Sequence, residues 1–114
     1  MKQIEDISLT INQTQALNEL QRLLRSQFEI VDLVLYGSVA RSEADEESEI
    51  DTLVLTARPF TRFERHKITD MTFEINLQYN TNFSTMVIDN ESWERGIISV
   101  LPLHDFILNE GIQL

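Results

Sequence analysis

Two carboxylates stand one residue apart at the start of an apolar run. Glu49 and Asp51 flank Ile50, and residues 50–55 read I-D-T-L-V-L, which is typical of a buried strand. Because side chains alternate between the two faces of a strand, both carboxylates should lie on the same face. Mg²⁺ is usually held by one or two carboxylates together with substrate phosphates and water. The triplet therefore predicts a magnesium site held by Glu49 and Asp51.

A glycine and a serine upstream have the character of a phosphate-binding turn. Gly37 and Ser38 follow residues 28–35, F-E-I-V-D-L-V-L, which are predicted to form a mostly buried strand. A short helix over residues 39–42 would place Ser38 at or near its N-terminal cap, where unpaired N–H groups favour an anion. Arg41, one turn later, could bring a guanidinium to the same phosphates. Gly37, Ser38 and Arg41 are the predicted phosphate ligands.

The segment between these two features is strongly acidic. Six carboxylates lie within residues 43–51, and those of residues 43–47 are expected to form a solvated surface loop. An alternative interpretation gives the whole region a structural role only. In that case the Gly37-Ser38 turn serves merely as a helix cap, and Glu49 and Asp51 point apart.

Helices and strands are predicted to alternate along the rest of the chain. Helices are expected over about residues 13–26, 61–79, 91–95 and 102–110, and strands over residues 28–35, 50–55 and 83–88. The part of the third segment beyond Phe73 could be a strand instead, and the short helix at 91 is capped by Asp89 or Asn90. This order predicts an α/β (α+β) fold, with helices packed on a small sheet.

Composition bounds the class of protein. The chain has 114 residues, 42% hydrophobic and 25% charged, which predicts a single globular domain over residues 1–114. Its apolar runs are too short to cross a bilayer, no cysteine is present, and residues 1–6 lack signal-peptide character. Cytoplasmic residence is therefore expected. The formal charge of -10 disfavours nucleic acid as a partner but allows a metal-bound triphosphate or a cationic protein.

The order of these features resembles a known family. Residues 33–55 read L-V-L-Y-G-S-V-A-R-S-E-A-D-E-E-S-E-I-D-T-L-V-L. This is similar to the minimal nucleotidyltransferases of the DNA polymerase β superfamily, whose pattern is a strand, Gly-Ser-x-Ala-Arg-Gly, a polar loop and Ser-Asp-x-Asp-Leu. The matching positions are Gly37, Ser38, Ala40, Arg41, Ser48 and Asp51. Residues 91–94 and 109–112 also look like the ends of such proteins.

The resemblance implies a fold, an activity and partners. The expected fold is a small mixed sheet with helices packed on it, and the expected reaction transfers a nucleoside monophosphate from a triphosphate to an acceptor hydroxyl. Two Mg²⁺ ions are implied for an active enzyme, and ATP is the expected nucleotide. Antitoxin-type members of the family modify a helical toxin protein, so such a partner is one possibility. A homo-oligomer is another.

Two departures from the family pattern bear on catalysis. Glu49 stands where the family has an aspartate, and residues 83–88, where a third carboxylate is expected, contain no acid. Ser84 or Thr85 fills that place. Substitute ligands to consider are Asp89, Asp70 and Glu74. The alternative to an active enzyme is therefore a catalytically impaired module that keeps the fold and acts by binding a protein.

Overall fold

The computed structural model describes residues 2–40 and 48–114 of the chain. Its helices are α1 (Ile11–Gln27), α2 (Arg62–Tyr79), α3 (Asn90–Glu94) and α4 (Pro102–Glu110). Its strands are β1 (Lys2–Gln3), β2 (Ile30–Tyr36), β3 (Ile50–Thr56), β4 (Phe83–Asp89) and β5 (Ile112–Gln113). Short 3-10 helices occur at Ile4–Asp6 and Ile97–Val100. None of the described helices is long and apolar enough to cross a membrane.

The two long helices begin at matching capping boxes. The Thr10 hydroxyl accepts from the Gln13 backbone N–H, and the Gln13 side chain accepts from the Thr10 N–H. Thr61 and Glu64 make the same reciprocal pair at the start of α2. Each box satisfies N–H groups that the helix itself leaves unpaired. These caps fix where the layer of long helices begins.

Helix α2 continues without a break to Tyr79. It ends at Asn80, whose left-handed backbone, with φ of 55°, is a common way to terminate a helix. The alternative of a strand beyond Phe73 is therefore wrong. Phe73 and Leu77 are exposed on the outer surface of the helix, so their apolar character does not mark a buried strand.

The strands form one mixed sheet in the order β1-β5-β2-β3-β4. Strand β2 runs antiparallel to both β3 and β5, whereas β3 and β4 are parallel and are joined by the crossover helix α2. The predicted small mixed sheet with packed helices is confirmed. The two-residue strands β1 and β5 were not predicted, because so short a segment shows no alternation of side chains.

Each face of the sheet buries its own apolar cluster. On one face, α1 and α2 cover alternate residues of the strands, including Leu33 and Ile50. On the other face, Trp93 of α3 and Ile107 of α4 pack against Leu53 of β3 and its neighbours. We call these the α1–α2 face and the α3–α4 face. The alternation that places Leu53 on the α3–α4 face places Asp51 on that face also.

Side chains of α2 engage the outer edge of the sheet at β4. The Asn76 amide donates to the Phe83 carbonyl at 2.9 Å and accepts from the Phe83 N–H at 2.8 Å. Further along, the Arg65 guanidinium donates to the Val87 carbonyl at 2.8 Å. At its start, β3 is tied to the turn before β4, since the Ile50 N–H donates to the Asn82 carbonyl. The beginnings of β3 and β4 are thereby fixed.

Candidate functional site

Asp51 lies in a row of polar side chains that crosses three strands. The register pairs Tyr36 of β2 with Asp51 of β3, and pairs Asp51 with Ser84 of β4. Directly paired residues point to the same face of a sheet, so the three side chains lie side by side on the α3–α4 face. The Ser84 hydroxyl donates to Asp51 Oδ1 at 2.9 Å. Ser84, not Thr85, is therefore the residue beside Asp51.

Gly37 brings the turn after β2 against the same carboxylate. Its φ is +82°, in the left-handed region that other residues rarely adopt. A Cβ added to Gly37 would lie 2.5 Å from Asp51 Oδ2 but 3.5 Å from Asp51 Cγ, so Oδ2 is the atom that points at the turn. Both the backbone conformation and the close approach of Asp51 therefore require glycine at this position.

The turn itself is a single hydrogen-bonded loop over residues 37–40. The Ala40 N–H donates to the Gly37 carbonyl at 3.2 Å, and the side chains of Val39 and Ala40 are buried in the core beneath. Residues 38–40 form a turn, and residues 41 and 42 of the short helix predicted over residues 39–42 lie outside the described residues. Arg41 and the acidic residues 43–47 lie outside the described residues.

The Tyr36 phenol lies in the negative field of both carboxylates. Burial raises the pKa of the Tyr36 phenol above its usual value of 10.0, and the negative charges of Asp51 and then Glu49 raise it further. The register explains this effect, since Tyr36 is paired directly with Asp51 and Glu49 lies two residues before Asp51. Glu49 is exposed, whereas Asp51 is half-buried. The pair faces solvent from the end of the sheet that carries the Gly37 turn.

Residues 16–112 of the chain match the model of the nucleotidyltransferase domain family. The chain belongs to this family. Its relatives include the "Putative protein adenylyltransferase MJ1305" of Methanocaldococcus jannaschii, which is 32% identical over 77 residues. That alignment covers 66% of this chain but 51% of the relative, so the chain spans about half the length of this curated relative.

Solved structures show the same fold at lower identity. A crystal structure of a toxin-antitoxin with AMP-PNP superposes with a TM-score of 0.59 and 18% identity, covering 84% of this chain and 69% of the other. A complex of a tri-AMPylated Shewanella oneidensis HEPN toxin with the MNT antitoxin gives a TM-score of 0.53 and 17% identity, covering 88% and 69%. At these identities the similarity is one of fold.

The acids considered as substitute ligands do not lie near the Gly37 turn and Asp51. Asp89 is five residues beyond Ser84 on β4, which is about 16 Å along a strand. It caps α3 instead, and the bonds that it accepts from the Ser92 N–H and hydroxyl lower its pKa. Asp70 and Glu74 lie on α2, on the opposite face of the sheet. The hypothesis that any of the three replaces the third acid is therefore wrong.

The residues of this candidate site are of the type that could hold a hard cation. Asp51 Oδ2 faces the Gly37 turn, Glu49 adds a carboxylate, and both offer the oxygen ligands that Mg²⁺ prefers. Across residues 2–40 and 48–114, no group of three or more His, Cys, Asp or Glu side chains could hold a metal ion. A cation bound here would take its remaining ligands from phosphate and water, as Mg²⁺ commonly does.

Tyr36 is a neighbour of the site that the sequence pattern did not indicate. It immediately precedes Gly37 at the end of β2, and its pairing with Asp51 depends on the antiparallel register. The signal available in the sequence was its place between an apolar strand and the Gly37-Ser38 turn. That position makes an aromatic residue with a polar tip a natural lining for the site.

Proposed function

We propose that this domain is a Mg²⁺-dependent enzyme that transfers a nucleoside monophosphate from a nucleoside triphosphate to an acceptor hydroxyl. The observation that supports this proposal is the approach of Asp51 Oδ2 to the Gly37 turn, where it lies 2.5 Å from the position that a Cβ would take. A carboxylate that could bind a metal would then face a turn that could receive phosphate. Membership of the nucleotidyltransferase family supports the same reaction.

Each part of the site has a distinct task in this proposal. The Gly37 turn lets phosphate approach the backbone, and Ser38 and Arg41 donate to phosphate oxygens. Asp51 and Glu49 hold Mg²⁺, which when bound neutralises part of the triphosphate charge and polarises the reacting phosphoryl group. The acidic chain, with its charge of -10, would otherwise repel a bare triphosphate.

The reaction is a displacement at phosphorus. The acceptor oxygen forms a bond to the α-phosphorus, the bond between that phosphorus and the bridging oxygen breaks, and pyrophosphate leaves. The acceptor hydroxyl releases its proton to solvent. The contribution of the protein to such a transfer is mainly positioning and electrostatic stabilisation.

A hydroxyl on a partner protein is the proposed acceptor, and ATP is the proposed donor. The M. jannaschii relative is named as a protein adenylyltransferase, and one structural neighbour is an antitoxin bound to an AMPylated toxin. We propose a toxin protein of the same helical type as the partner of this domain. The negative charge of this chain also favours a partner with a cationic surface.

The test uses ATP labelled at the α-phosphate, Mg²⁺ and a HEPN toxin as the candidate partner protein. We expect label on the partner, and we expect Asp51→Asn to reduce labelling at least about 100-fold. Loss of a residue that merely hydrogen-bonds a metal ligand already costs about 10–100-fold, and Asp51 would itself be the ligand. The matched control is Asp70→Asn, the same chemical change on the opposite face of the sheet, which should label normally. Equal labelling by wild type and Asp51→Asn would refute the proposal.

A second candidate function is a non-catalytic module that acts by binding a protein. The observation that favours it is Ser84, a neutral side chain where a third carboxylate would complete the metal site. In that case the domain would bind its partner and ATP would leave the partner unlabelled. Thermal unfolding with Mg²⁺ and millimolar ATP separates the two: no stabilisation by the nucleotide favours the binding module.

A further inference from the structure

The hydrogen bond between Ser84 and Asp51 gives the two carboxylate oxygens different roles. Oδ1 accepts from the Ser84 hydroxyl at 2.9 Å, and Oδ2 points at the Gly37 turn. Oδ1 is therefore already engaged on the β4 side, while Oδ2 faces the place where phosphate would bind. A residue that donates to one oxygen of a ligating carboxylate fixes which oxygen meets the cation.

We propose that Ser84 is a positioning residue that orients Asp51 and restricts this site to a single divalent cation. The inference rests on the proposed function, since it concerns the cation that the transfer reaction would use. It changes the expected chemistry, because nucleotidyl transfer in the family is expected to use a pair of ions. The pair would be replaced here by one ion, with Ser84 in place of the second ion's carboxylate.

Electrostatics supports one ion over two. Divalent cations in a paired site lie roughly 3.5–4 Å apart and repel one another, so carboxylates must lie between and beside them. The Ser84 hydroxyl donates to one oxygen of Asp51 and adds no negative charge. Glu49 is exposed to solvent just before β3, where screening by water weakens its attraction. Within residues 2–40 and 48–114, the charge beside Ser84 is therefore too small for a second ion.

Among the described residues no group of three or more His, Cys, Asp or Glu side chains could hold a metal ion, so no third carboxylate there joins Asp51 and Glu49. Asp89 accepts two hydrogen bonds from Ser92 at the far end of β4, and the acids of α2 are on the opposite face of the sheet. The parallel register sets Ser84 directly opposite Asp51, so an aspartate at position 84 would place its carboxylate beside that of Asp51. Position 84 is therefore where one substitution can add the second ion.

The experiment counts Mn²⁺ ions bound per chain by equilibrium dialysis with electron paramagnetic resonance, in the presence of α,β-methylene ATP. This analogue cannot transfer its nucleotide, so the readout does not depend on activity. We expect one Mn²⁺ per chain for wild type and two for Ser84→Asp. The matched control is Ser84→Asn, which has nearly the size of aspartate without its charge and should bind one.

Two further variants test the positioning role. Ser84→Ala removes the hydrogen bond to Asp51, and we expect Mn²⁺ to bind roughly 10-fold more weakly, the usual effect of losing an outer partner of a ligand. Ser84→Thr keeps the hydroxyl and should restore the wild-type affinity. Circular dichroism shows whether each variant is folded, so that loss of binding is not mistaken for loss of structure.

The outcomes separate this inference from the proposed function. Two Mn²⁺ per wild-type chain, or an unchanged affinity in Ser84→Ala, would overturn the inference and leave the transferase proposal standing. Failure of Ser84→Asp to gain an ion while remaining folded would overturn it equally. No Mn²⁺ binding by any variant, together with no nucleotide binding, would overturn the proposed function and this inference with it.

Discussion

The conformation of Gly37 predicts that Gly37→Ala lowers both the stability of the fold and the activity of the site. In Gly37→Ala the new side chain must adopt φ near +82°, which costs about 1–2 kcal/mol for an L residue. Its Cβ would also begin 2.5 Å from Asp51 Oδ2, whereas ordinary contact starts at 3.4 Å. The turn or the carboxylate must therefore move by about 0.9 Å.

That displacement has two measurable consequences. We expect the free energy of unfolding to fall by about 1–3 kcal/mol, the usual range for a residue held in an unfavourable backbone region. We also expect transfer activity to fall about 100-fold, because a shift of about 1 Å in a catalytic group can cost that much. Urea unfolding followed by Trp93 fluorescence measures the first effect, since Trp93 is the only tryptophan of the chain and is buried in the core.

A double-mutant cycle separates the backbone cost from the collision with Asp51. In an Asp51→Ala background the carboxylate is gone, so Gly37→Ala should then cost only the part that comes from its positive φ. If Gly37→Ala costs the same free energy in both backgrounds, the proposed contact with Asp51 is wrong. If Gly37→Ala changes neither stability nor transfer, the whole account of the turn is refuted.

Two further predictions concern pH. The chain has two tyrosines, so Tyr79→Phe leaves only the Tyr36 phenol to titrate, and it should do so above pH 10.0. Adding Asp51→Asn should lower the pKa of Tyr36, and an unchanged pKa would mean that Asp51 lies too far from the phenol. Because folding raises this pKa, stability should fall as pH rises above 10.0. At acid pH, the Arg58 guanidinium and then the Thr61 backbone N–H lower the pKa of Glu64 from 4.5 to about 2. Folding lowers the pKa of Glu64, so the free energy of unfolding should fall as pH drops from 4.5 to about 2. Urea unfolding at each pH measures this, and the fall should be shallower in Glu64→Gln.

The regular elements could be predicted because their patterns are local. Helix α1 and strands β2, β3 and β4 lie within two residues of their predicted bounds, since each has a clear spacing of apolar residues or a turn signal at its ends. The turn at residues 38–40 was harder to predict, because it goes with the burial of Val39 and Ala40 in the core. That burial is a tertiary effect, which local propensity does not contain.

Some residues of the candidate site can also be recognised from local sequence, whereas others depend on strand pairing. Glu49, Asp51 and the Gly37-Ser38 turn stand out because residue type and spacing alone identify them. The choice between Ser84 and Thr85, and the exclusion of Asp89, depend on the register of β3 against β4. Register is set by pairing between distant parts of the chain, so one sequence does not specify it. The same reason explains why Tyr36 was overlooked.

The contacts that α2 makes with β4 have a consequence for how the molecule meets other chains. An edge strand normally presents open peptide groups to which a strand from another molecule can add. In β4 the side chain of Asn76 occupies both peptide groups of Phe83, and Arg65 occupies the carbonyl of Val87. A strand added at this edge would have to break these three bonds. The side chains of α2 thus disfavour aggregation through the addition of a strand at β4.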